Sequence, residues 1–97
     1  MKKPEDCASI VEIREGIDII DKQLIELIGK RFLYVKEIVK FKSNQEEVEA
    51  KKRYDEVIRV RRQWATQENI SPDVIEAIYN TLIQYFIEEQ MRLLNNR

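Results

Sequence analysis

The sequence predicts an all-α protein of three helices, the first so long that a dimer with a second copy packed against it is more economical than a monomer. Three observations carry this expectation. Apolar residues recur at steps of three and four along most of the chain, the period of a helix. No segment alternates with the period of two that marks a strand. No proline interrupts residues 9–42.

Residues 1–8 read as a short polar arm. Ser9 and Glu12 match the S-x-x-E capping box, in which each side chain satisfies a free N–H at the start of a helix. Helix 1 then runs to Phe41 or Lys42, with Ile10, Ile13, Ile17, Ile20, Leu24, Leu27, Val35 and Ile38 on one stripe. Gly16 and Gly29 lie inside it, each at a cost of roughly 1 kcal/mol relative to alanine. They mark either a close approach or simple tolerance, and both readings stay open. At 1.5 Å per residue this helix is about 45–50 Å long, whereas a compact 100-residue globule has a radius of gyration of about 13 Å. Its first turns project and expose Ile10, Ile13 and Ile17 unless another chain covers them. A homodimer is the economical answer.

Lys42 to Glu47 carries no apolar residue and reads as a loop, with residues 43–48 placed to act as a lid beside Lys42. Helix 2 is expected from about Glu49, with Val57, Val60 and Trp64 facing inward and its many lysines and arginines forming a solvated face. Gln67 to Ile70 is a short break. Ser71-Pro72-Asp73 opens helix 3 with an N-cap serine, a proline at the first helical position and an acid in the first turn. Ile75, Ile78, Leu82, Phe86 and Leu93 form its stripe, broadened by Tyr79, Ile83, Ile87 and Leu94, and Asn95 to Arg97 add no further structure. Residues 1–97 read as one domain.

Charged residues make up 36% of the chain, yet the formal net charge is only −1. That near-cancellation argues against a nucleic-acid binder, which shows a clear positive excess. The absence of histidine removes the commonest general base and metal ligand. The single cysteine, Cys7, has no internal partner and no zinc spacing, as suits a bystander in a reducing cytoplasm. No apolar run approaches the ~20 residues of a membrane span, and Pro4-Glu5-Asp6 follows the first residues where a signal peptide would be apolar. No metal or cofactor is expected, and the location is expected to be cytoplasmic.

Function is read from polar residues that break the apolar stripes. Arg14, Arg31 and Lys42 interrupt helix 1, and Gln90 interrupts helix 3 between Phe86 and Leu93. Long charged side chains seldom occupy such positions unless they are paired or serve a ligand. Arg31 and Lys42 are eleven residues apart, about 16 Å along a helix, and can bracket a small molecule. Arg14 lies seventeen residues before Arg31, about 25 Å away. It can join such a pocket only from a second chain. Two arginines suit the carboxylates of a small dicarboxylate substrate, with apolar walls from Val35, Ile38, Ile83 and Ile87. Without histidine, a convincing nucleophile or a phosphate loop, catalysis must come from positioning and fixed electrostatics. A pericyclic reaction fits this inventory.

Ile13-Arg14-x-x-Ile17-Asp18-x-Ile20-Asp21, Leu24-x-x-Leu27-Ile28-x-x-Arg31, Val35 through Lys42, and distal Gln90 together resemble the all-helical (type II) chorismate mutases. The resemblance covers nearly the whole chain. Pro4-Glu5-Asp6-Cys7 and the region of Trp64 are most similar to the isochorismate pyruvate lyase branch. It implies an intertwined homodimer with two active sites. Arg14 from the partner chain and Arg31 would hold the substrate carboxylates, while Lys42 and Gln90 would face the ether oxygen and the enolpyruvyl carboxylate. The implied reaction converts isochorismate to salicylate and pyruvate, with weak chorismate mutase activity beside it. Salicylate in this family commonly feeds siderophore assembly. One departure matters: the usual Arg-Glu pair of helix 2 is replaced by Arg53-Tyr54, with Asp55 the first acid. The loss suits a lyase, since isochorismate carries its hydroxyl at C2. A chorismate mutase proper is the alternative. A non-catalytic helical dimerisation module is the remaining one, and it would pair Arg14 with Asp18 or Asp21, and Arg31 with Glu26 or Glu37.

Overall fold

The computed structural model describes residues 1–42 and 50–96. Among them are three α-helices and no strand: α1 (Ile10–Ile38), α2 (Lys51–Gln67) and α3 (Pro72–Asn95). Short 3-10 turns precede and follow α1, at Pro4–Asp6 and Val39–Phe41. The all-helical expectation holds. The loop and lid expected over residues 43–48, and the start of helix 2 at Glu49, fall outside the described residues. Among the described residues no helix is long and apolar enough to cross a membrane. The chain divides into two compact units, Met1–Tyr34 and Val35–Arg97.

In the first unit the arm is more ordered than its polarity suggests. Pro4 begins a turn closed by Asp6 N–H to Lys3 C=O (3.0 Å) and Cys7 N–H to Pro4 C=O (3.3 Å). Pro4 is followed by the acids Glu5 and Asp6 as Pro72 is followed by Asp73 at the start of helix 3, so the signal was present on a smaller scale. The capping box forms only by half. Glu12 N–H donates to Ser9 Oγ at 3.2 Å, as expected. The Glu12 carboxylate, however, accepts from Ala8 N–H at 2.7 Å rather than from Ser9, and its other oxygen takes Lys2 Nζ at 3.0 Å. The arm folds back over the first turns of the helix, so the free N–H that Glu12 meets is one residue further upstream.

These bonds hold the Glu12 carboxyl below the usual carboxylate range, first through the Ala8 N–H and then through Lys2. A depressed carboxyl contributes stability that is present above its unfolded pKa and is lost as pH falls through the lowered folded value. Acidification below about pH 4 should therefore release the arm before α1 melts. The protection factor of the Ala8 amide, its exchange rate relative to an unstructured amide at the same pH, should fall over that range, and Glu12→Gln should show little protection at every pH.

The α1 stripe has little cover: Ile10, Ile13, Ile17, Ile20, Leu24 and Leu27 are each 45–65% exposed. A Cβ at Gly16 would meet Met1 Sδ at 4.0 Å, an ordinary contact, and one at Gly29 would meet nothing within 4 Å. Among the described residues nothing crowds either glycine.

The second unit is built on α2 against α3, with α3 also packing on the Val39–Phe41 turn. Tyr54 O–H donates to Asn80 Oδ1, and Arg62 bridges Asp73 (2.9 Å) and Glu76 (3.0 Å). The narrowing sequence separation of these pairs shows the helices running antiparallel. The two carboxylates keep the Arg62 guanidinium more firmly protonated than usual, the Asp73 hydrogen bond leading. Among the described residues the core comprises Val39, Val57, Ile58, Ala65 and Phe86, with one buried polar residue, Gln90.

The break between α2 and α3 is a Schellman stop: Ile70 N–H reaches Ala65 C=O at 2.9 Å and Asn69 N–H reaches Thr66 C=O at 3.1 Å. Asn69 takes φ 60°, a left-handed conformation that asparagine tolerates better than most residues. Ser71 caps α3 by accepting from Val74 N–H at 3.3 Å, as its sequence predicts.

Two inward faces need correction. On α2 the buried positions are Val57, Ile58 and Ala65, while Trp64 is 49% exposed. The small Ala65 takes the tight position, and the indole lies at the rim with the Arg61 guanidinium 4.7 Å above its ring. On α3 the buried line runs through Phe86 and Gln90, leaving Ile78 51% exposed.

Candidate active site

Arg14 projects from the second turn of α1 and is exposed. Among the described residues no carboxylate forms an ion pair with it, Asp18 and Asp21 included. Arg31 lies seventeen residues further along the same uninterrupted helix and is half-buried. The axial separation is about 25 Å. Within one chain the two guanidiniums cannot hold one small molecule. Of the acids that could neutralise Arg31, Glu37 instead pairs with Lys40 at 2.5 Å.

Lys42 does not continue the α-helix. The helix tightens to a 3-10 turn at Val39–Phe41, and Lys42 follows with extended backbone (φ −100°, ψ 137°), its N–H bonded to Val39 C=O at 3.2 Å. The expected eleven-residue α-helical spacing from Arg31 therefore does not apply to its last four residues. The last turns of helices often tighten this way because their carbonyls lack further donors. Burial of Val39, 6% exposed, pins the turn. The Lys42 side chain is half-buried.

Gln90 is 6% exposed, and its Nε2 donates to Val35 C=O at 2.8 Å. Val35 lies in the last turn of α1. The carboxamide adds a side-chain donor to its carbonyl, and the need for a donor fixes which way the amide is turned. One N–H and the acceptor oxygen of Gln90 remain for other work. Within the second unit, Gln90 and Lys42 are thus both tied to the end of α1, through Val35 and Val39. Gln90→Leu should destabilise the fold by about 0.5–1.5 kcal/mol, the net loss of one part-buried hydrogen bond. Urea unfolding would register this as a lower midpoint at unchanged slope.

Of the apolar walls expected here, Val35, Ile83 and Ile87 are half-buried and Ile38 is 42% exposed. Arg53 and Asp55 are both exposed and engaged along α2, Arg53 with Glu56 at 2.6 Å and Asp55 with Lys51 at 3.0 Å. Sequence reasoning did not anticipate Arg61, which lies between the rings of Trp64 (4.7 Å) and Tyr79 (5.7 Å). The spacing of Arg61 and Trp64 on one helix was the available cue.

The four residues thus divide two and two, Arg14 and Arg31 in the first unit, Lys42 and Gln90 in the second. Chemically they offer fixed positive charge and an oriented amide, which can bind carboxylates and stabilise an oxygen that becomes negative. Residues 13–91 match the chorismate mutase type II family. The chain is also 33% identical over 92 residues to the isochorismate pyruvate lyase of Pseudomonas aeruginosa, an alignment covering 95% of this chain and 91% of that protein.

Proposed function

The chain belongs to the chorismate mutase type II family, and on that premise we propose that it is an isochorismate pyruvate lyase with weak chorismate mutase activity. The observation that carries this reading is the 33% identity to a lyase of that name, spread over 95% of the chain. In the reaction, the C–O bond to the enolpyruvyl group breaks while the C2 hydrogen moves to its methylene carbon. The ring becomes aromatic, and the atoms of isochorismate divide between salicylate and pyruvate without an added acid, base or cofactor.

Arg31 and a partner chain's Arg14 hold the two carboxylates of the substrate. Lys42 and the remaining N–H of Gln90 face the ether oxygen and the enolpyruvyl carboxylate. Negative charge gathers on that oxygen as the bond breaks, so a cation there binds the transition state more tightly than the substrate. The 25 Å between Arg14 and Arg31 along α1 supports an intertwined homodimer with two shared sites. The exposed α1 stripe supports it as well. Residues 1–97 act as one catalytic domain completed by dimerisation, in a reducing cytoplasm that suits the lone cysteine.

Chorismate mutase is the second reading, favoured by the family match over residues 13–91. The tyrosine that follows Arg53 supports the lyase, because the position at which a mutase of this class carries an acid for the ring 4-hydroxyl holds none. Purified protein supplied separately with isochorismate and chorismate decides between them. Salicylate formation well ahead of prephenate formation is expected, and prephenate alone would make the protein a mutase.

A further inference from the structure

Asn80, Ile83, Ile87 and Gln90 follow one another along α3 at steps of three, four and three, so they share one face of the helix. The Gln90 end of this row meets the last turn of α1 through Val35. The Asn80 end, about 15 Å away, meets the beginning of α2, where the Tyr54 hydroxyl donates to Asn80 Oδ1. Ile83 and Ile87, the expected substrate walls, lie between. The beginning of α2 is poorly supported by its own sequence. Ala50 gives no side-chain cap, and the first turn holds Lys51, Lys52 and Arg53 without an acid. Three cations thus sit at the positive end of the helix dipole. The pairs Lys51–Asp55 and Arg53–Glu56 are exposed, and exposed pairs contribute little. The Tyr54–Asn80 bond is part-buried and ties this turn to α3 across 26 residues of sequence.

We propose that Tyr54 and Asn80 are a positioning pair, whose bond docks the first turn of α2 against α3 at the far end of the substrate wall. The inference rests on the lyase reading and gives Tyr54 a task beyond the absence of an acid. Gln90 faces the enolpyruvyl side of isochorismate, so the Asn80 end of the row borders the ring. A tyrosine hydroxyl has one proton to donate, and here it is committed to Asn80. Tyr54 therefore acts on the substrate through the placement of α2 and not by donating to it. Only molecules with the turn docked present a complete wall, so the docked fraction scales the apparent affinity. In the bound complex the turn is docked, and the chemical step at Lys42 proceeds as before.

Tyr54→Phe keeps the ring and removes the bond. It should raise KM for isochorismate about 2–10-fold, the range spanned by one neutral hydrogen bond, with kcat within about twofold of wild type. The Tyr54 amide, which closes the first helical bond of α2 on Ala50 C=O, should lose hydrogen-exchange protection in the same variant. Asn80→Ala should match Tyr54→Phe, and the double variant should be no worse, because all three remove one bond. Asn80→Asp keeps an acceptor and should restore KM. Arg62→Ala removes the other tie between these helices, to Asp73 and Glu76. It should lower Tm and leave KM unchanged, as a merely structural contact would. A Tyr54→Phe protein with lower Tm but unchanged KM would overturn the proposal while leaving the lyase reading intact. Failure of the wild-type chain to form salicylate would remove both.

Discussion

Lys42→Ala should lower kcat for isochorismate by about 10²–10³-fold, the loss of about 2.7–4 kcal/mol typical of a preorganised transition-state donor. The magnitude follows from where charge develops. In the ground state the ether oxygen is neutral and poorly matched to a cation, so Lys42 gains little there. As the C–O bond breaks, the oxygen draws in the bonding pair and the interaction strengthens. An interaction made mainly in the transition state lowers kcat and kcat/KM together when removed. Lys42 follows a 3-10 turn held by buried Val39 and is itself only half-buried, so its side chain contributes little to the core. The variant should unfold at close to the wild-type temperature, which separates a chemical defect from a folding one. Lys42→Met keeps most of the stem without the charge and should be equally impaired. Unchanged turnover in a folded Lys42→Ala protein would remove the mechanism.

How much of this was legible in the sequence varies with the kind of signal. Periodicity located all three helices, since burial of one face leaves a mark every third or fourth residue. Ser71-Pro72 placed the start of α3 because cap chemistry is local. The anomaly of Gln90 in an apolar stripe identified a buried polar residue correctly. Its bond to Val35 C=O, 55 residues away in sequence, could not be read, because it depends on where two helices meet. Trp64 misled because hydrophobicity alone does not say which apolar residue takes the tight position. Ala65 fits against a neighbouring helix where an indole does not. Lys42 was placed on the α1 face by extrapolating a 3.6-residue period through a turn that tightens to 3-10. The fold of the arm onto Glu12 was hidden for a similar reason. A capping box describes two residues, and the competing donors, Lys2 and Ala8, lie outside it.

Mixing Arg14→Ala with Arg31→Ala should restore activity that neither variant has alone. Each substitution strands a substrate carboxylate, and losing one member of such a charge pair costs about 2–5 kcal/mol. If each site takes Arg31 from one chain and Arg14 from the other, a heterodimer holds one intact site and one doubly defective site. Equal, random mixing makes half of all dimers heterodimers, so about a quarter of wild-type activity should return. The complementary mixture gives the opposite sign. A chain carrying both substitutions should poison wild type, because each heterodimer then lacks Arg14 at one site and Arg31 at the other. Activity would fall to about a quarter rather than to the half expected from dilution alone. A site contained within one chain predicts neither result: no recovery in the first mixture and simple dilution in the second. Native mass spectrometry establishes that heterodimers have formed. With that control, the pair of mixtures tests the geometry that the 25 Å between Arg14 and Arg31 imposes on α1, independently of which substrate the site prefers.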